Sequence, residues 1–161
     1  MDSASELTEH ERAILEERRR HLPTIIADMP VMLEEFRQLV GMGLEVDIVD
    51  KPEDAVPLVD SFLRAQIFRQ YDERSLIWLL TRVGYFVAHV LIVRNAGSWA
   101  IEERRDSPYF LRYVITDFLK ARLSGMTVDP FSLANALAQP GNQGLAVALD
   151  NVYRQLDGLT K

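Results

Sequence analysis

A chain of 161 residues with 48% hydrophobic and 26% charged side chains has the make-up of one globular domain, and a domain of that size buries about two thirds of its unfolded surface. The formal net charge of −6 argues against general nucleic-acid binding, which needs an excess of Lys and Arg to neutralise phosphates. Cysteine is absent, which excludes disulfides, thiol catalysis and cysteine-ligated zinc or iron–sulfur centres.

The N-terminal stretch MDSASELTEHERAILEERRRH has no apolar signal core, so the cytoplasm is the expected location. Residues 1–7 are expected to fray. Thr8 and Glu11 have capping-box spacing, which predicts a first helix from Thr8 to Leu22, ending before Pro23. Glu17 and His21 lie one turn apart and read as a surface pair. His10 is eleven residues from His21, roughly 16 Å along a helix, too far for the two to share a metal ion.

Asp28 and Pro30 predict the start of a second helix, carried by Val31, Met32, Phe36, Leu39 and Val40 and stopped at Gly41 and Gly43. The stretch GLEVDIVDKPED then reads as a connector, with a short extended piece at 46–49. Pro52, Glu53 and Asp54 open a third helix that is expected to reach about Gln70, with Pro57 delaying its regular start. Between residues 30 and 60 the carboxylates Glu34, Glu35, Glu45, Asp47, Asp50, Glu53, Asp54 and Asp60 face only Arg37 and Lys51. The imbalance equals the formal charge of the whole chain, and such a field speeds encounter with a positively charged partner.

The run from Ser75 to Asn95, SLIWLLTRVGYFVAHVLIVRN, is the longest apolar segment. Its composition predicts a central helix buried on several sides, capped by Ser75 and terminated through Asn95 and Gly97. Arg82 and His89 interrupt it in mid-run, which argues against a membrane span. Ser75, Trp78, Arg82, Tyr85 and His89 recur at intervals of three and four, so they form one stripe along this helix. An aromatic and arginine cluster of this kind suits a protein-binding hot spot. Arg82, Tyr85 and His89 alternatively suit an anion clamp with a general acid or base.

Beyond it, 98–105 and 108–117 carry aromatic and β-branched residues around Asp106-Ser107, which predicts a small antiparallel hairpin with Trp99 anchored on the central helix. A helix over 108–123, capped by Ser107, fits the same residues. Asp129 and Pro130 open a further helix that ends at Pro140-Gly141. The last helix follows Asn142, with Leu145, Leu149, Val152 and Leu156 on one face. The expected fold is therefore mainly α, of α+β type: one domain over 1–161, with about six helices around the central helix 75–95 and a hairpin near 98–117.

The fragments Gly84-Tyr85, 94–99 (RNAGSW), Ser107-Pro108 and Asp129-Pro130-Phe131 resemble the punctuation of small bacterial proteins of uncharacterised families, over roughly residues 84–131. In size and charge the chain also resembles cytoplasmic immunity proteins, which neutralise toxins delivered by neighbouring bacteria. The resemblance implies a non-catalytic protein-binding role with a basic toxin as partner, and carries no functional residue across. The expected binding residues are Trp78, Arg82, Tyr85 and His89 together with Glu45, Asp47, Asp50, Glu53 and Asp54. No cofactor, metal, membrane or nucleic acid is expected, and the amphipathic terminal helix can pair with a second copy as readily as with its own core.

Overall fold

The computed structural model describes residues 6–118 and 125–158. Among these it contains five α-helices and one two-stranded sheet, so the mainly helical reading with a small hairpin holds. The elements are α1 (Glu9–Val40), α2 (Pro52–Arg64), α3 (Glu73–Asn95), β1 (Ser98–Ile101), β2 (Tyr113–Thr116), α4 (Pro130–Ala136) and α5 (Leu145–Gly158), with a single 3-10 turn at Phe68–Gln70.

The first correction concerns α1. Thr8 caps it through the expected reciprocal bonds with Glu11, but the chain continues through Pro23 and Pro30 as one helix of 32 residues instead of two. An interior proline removes the bond to the carbonyl four residues back and crowds it. Pro23 and Pro30 are seven residues apart and both are exposed, so they share one solvent-facing side, where water can satisfy the carbonyls of Arg19 and Ile26. The opposite side buries Met29, Leu33 and Phe36, and that packing keeps the helix whole. Pro57 behaves likewise: it is exposed within α2, which starts at Pro52 without delay. α2 stops at Arg64, short of the expected Gln70, and the chain reaches α3 by way of the 3-10 turn.

α3 is the core helix. Val83, Phe86, Val87, Ala88, Val90 and Leu91 have no exposed surface, and α1, α2, α4 and β2 pack around them. By length and composition α3 could cross a membrane, yet half of its apolar window is buried inside this fold. Its cap is Asp72 rather than Ser75: the Asp72 carboxylate accepts from the Ser75 backbone N at 2.8 Å and from the Ser75 hydroxyl at 3.0 Å. At the other end Ala96, not Asn95 or Gly97, takes the left-handed conformation, with φ of 54°. Gly97 serves a different need, because a Cβ there would lie 2.6 Å from Ile115 Cγ2 and 2.8 Å from Phe118 Cε1.

β1 and β2 pair antiparallel with Ser98 opposite Thr116 and Ile101 opposite Tyr113. The strands are shorter than the sequence suggests, and the link 102–112 closes on itself through Leu111 N to Glu102 O at 2.7 Å and Glu102 N to Arg112 O at 3.0 Å. Leu111 adopts φ of 65° to do so. The helical alternative over 108–118 is thus not adopted, and 119–123 lies outside the described residues. Ile115 also exchanges two backbone bonds with Val128, which brings the chain to Asp129. Asp129 caps α4 as expected, accepting from the backbone N of Phe131 and Ser132. α5 buries Leu145, Leu149 and Leu156 on α2 and the core.

Candidate functional site

The stripe on α3 divides among three neighbours. Trp78 is 46% exposed, and the Arg82 guanidinium lies over its indole, 3.7 Å from the ring centre. Arg82 also donates from Nη1 to the Trp78 carbonyl at 3.1 Å. Trp78 faces outward, while Arg82 is half-buried and its Nε is enclosed with no hydrogen-bond partner among the described residues. Tyr85 instead enters an aromatic cluster with Trp99 at 6.0 Å and Phe131 at 5.2 Å, the latter edge to face. Trp99 therefore anchors β1 on α3, as its place in the sequence suggests. The half-buried Tyr85 phenol is pushed above its ordinary pKa by desolvation and by the neighbouring Tyr113 and Asp28.

His89 has a third role. Its Nε2 lies 2.7 Å from the Val49 carbonyl, and since a carbonyl can only accept, that nitrogen carries the proton. The bond ties the 41–51 connector to α3. Trp78 and His89 are eleven residues apart, about 16 Å along the axis. Neither the groove beside Trp78 nor the polar cavity beside α4 is lined by Arg82, Tyr85 or His89, so the three do not converge on one substrate position.

The connector has a defined shape. At its start the buried Arg37 donates to the Met42 carbonyl at 2.7 Å and pairs with Glu34. In its middle the Asp47 carboxylate accepts from the Asp50 backbone N at 3.0 Å, and Ile48 is buried at 2% exposure. Between these pins Leu44 is 88% exposed. Glu45, Asp50 and Asp54 are also exposed, and the Glu45 charge reaches Arg37. Two other acids of the segment do structural work: Glu53 pairs with Arg94 at 2.9 Å, and Asp60 accepts from Leu145 N at 2.8 Å at the start of α5.

A second feature lies at the start of α3. Leu39, Phe62, Tyr71, Trp78 and Leu79 line an apolar groove of about 450 Å³, with Arg74 and Ser75 on its edge. Of these the sequence pointed to Trp78 as a binding residue and to Ser75 as a member of the same stripe. A signal was present nonetheless: neither Arg74 nor Arg82 has a carboxylate three or four positions away, where a helical ion pair would place one. Leu44 carried no such mark, because its exposure depends on how Arg37 and His89 hold the connector.

Among the described residues no group of three or more His, Asp or Glu side chains is placed to hold a metal ion. No protein-family model, curated protein or solved structure matches this chain.

Proposed function

We propose that the protein is a non-catalytic, cytoplasmic binding module that engages a basic protein partner through the connector and the start of α2, most concretely as an immunity protein that neutralises a toxin by direct contact. One observation carries this reading. Leu44, 88% exposed, stands on a pinned connector next to Glu45 in sequence, and Asp50 and Asp54 are exposed further along the connector and at the start of α2. An exposed apolar side chain on an acidic segment joins a desolvating anchor to a field that draws in positive charge. Because Arg37, Asp47 and His89 already fix the backbone, little ordering entropy is lost on contact.

The test begins with co-purification from the native host, using the wild-type chain and a Glu45→Lys, Asp50→Lys, Asp54→Lys variant as baits. A protein retained by the first and lost by the second is the expected partner. Its association rate with the wild type should fall on the order of tenfold or more from low to high salt, and Leu44→Asp should speed its dissociation. A rate unchanged by salt overturns the proposal, as does a partner that binds the charge-reversed variant equally well.

A further inference from the structure

The groove at the start of α3 has chemistry opposite to that of the connector. Its floor and walls are apolar, from Leu39, Phe62, Trp78 and Leu79. The hydroxyls at its edge are committed: Tyr71 donates to Gln66 and Ser75 donates to Asp72. Arg74 is not. Its exposed guanidinium has no hydrogen bond or ion pair with any described residue, whereas Arg37, Arg94 and Arg104 each meet a carboxylate within 3.0 Å.

Nearby charge reinforces the contrast. Arg82, one turn beyond Trp78, has no carboxylate partner among the described residues either, and its stack fixes the indole that forms the groove wall. The nearest acid in sequence with a defined role, Asp72, is engaged by the backbone and hydroxyl of Ser75, bonds that hold its carboxyl below the usual range. Glu73 is one residue from Arg74, about 100° around the helix, and so points elsewhere.

We propose that this groove binds a small apolar monocarboxylate, with the carboxylate on Arg74 and the hydrocarbon body against Trp78, Phe62, Leu39 and Leu79. The volume of about 450 Å³ falls in the range of small-ligand sites, which are apolar with a few placed polar groups. A guanidinium fork matches a carboxylate in two parallel bonds. A phosphate would call for more donors than one guanidinium beside two committed hydroxyls. An alkylammonium of the same length is repelled by Arg74 and Arg82, and a neutral alcohol leaves Arg74 unanswered. The site is independent of the partner surface on the connector.

Calorimetric titration of the full chain with decanoate, 1-decanol and decylammonium, each below its aggregation threshold, tests the proposal. Decanoate should saturate one site per chain, decanol should bind at least tenfold more weakly, and decylammonium should show no saturable binding. Arg74→Ala should reduce decanoate affinity at least tenfold and bring it level with decanol. Arg74→Gln should do the same, and it keeps a polar side chain with an aliphatic stem at that position while removing the charge. Trp78→Ala should weaken decanoate and decanol alike, while the connector variant Glu45→Lys, Asp50→Lys, Asp54→Lys should leave both unchanged. Equal binding of decanoate and decylammonium, an absence of saturable decanoate binding, or full decanoate affinity in both Arg74 variants would overturn it.

Discussion

Gly84 shows how one missing methyl sets the centre of the fold. A Cβ there would sit 2.9 Å from Cε1 of Phe131 and closer still to its Cδ1, so glycine is what lets α4 lie against α3. Phe131 cannot easily withdraw, because it also stacks on Trp99 at 6.1 Å and meets the edge of Tyr85 at 5.2 Å. Alanine favours a helix over glycine by about 1 kcal/mol, whereas overpacking a fitted contact costs about 1–3 kcal/mol. Gly84→Ala should therefore destabilise the protein by up to about 2 kcal/mol in urea denaturation, with a red-shifted Trp99 emission. A variant as stable as the wild type would mean that α4 is free to shift. The same comparison explains why the stripe on α3 was only partly legible. Its spacing correctly places Trp78, Arg82, Tyr85 and His89 on adjacent turns, but what covers each turn is set by the α4, β1 and connector residues that pack there.

α5 docks by its apolar face, and its polar detail yields a test. Tyr153 stacks under the Arg94 guanidinium at 3.6 Å, while its buried hydroxyl has no hydrogen-bond partner among the described residues. Burial, then the charge of Glu53, pushes the phenol up to about 12, against the pull of Arg94. A folded pKa above the unfolded value of 10.0 means that the folded state holds its proton longer. The associated stability is complete below that value and is lost as pH rises toward 12. Tyr153→Phe should flatten this alkaline decline and raise stability near neutrality by about 1 kcal/mol, since an unmet buried hydroxyl is removed while the ring stays over Arg94. Chemical denaturation at pH 7 and above pH 10 measures both effects, and an alkaline slope that persists in the phenylalanine variant would assign it to another group. At this scale the sequence was most legible where caps and periodicity agree, as at Thr8, Asp129 and the Leu145, Leu149, Leu156 face. It misled at Pro23 and Pro30, because a proline's cost depends on whether its side of the helix is wet, and that is decided by tertiary packing. It was one turn late at the start of α3, where Ser75 is a plausible cap but its own amide and hydroxyl are taken up by the charged acceptor Asp72.

Across the whole molecule four hydrogen-bonded carboxylates share one direction of perturbation. Glu11 is lowered by the Thr8 backbone and by Arg105, Glu34 by Arg37, and Asp72 by Ser75. Glu102 is raised by burial, but hydrogen bonds from the Arg104 side chain and backbone outweigh this and leave it lowered. In each case the unfolded chain binds the proton more readily. The stability they supply is present above the ordinary Glu value of 4.5 and is lost as pH falls through the lower folded values. Melting temperature should accordingly hold near neutrality and drop steeply below about pH 4; a midpoint that stays level down to about pH 3 would show that these groups are not linked to folding. The position of the unpaired charge has a further consequence. Free carboxylates gather on the connector, near the His89 end of α3, and the free guanidinium of Arg74 lies at the opposite end of the same helix. Such a body is turned by an approaching charge as well as pulled by it, so a cationic surface would meet the acidic connector before the Arg74 end of α3.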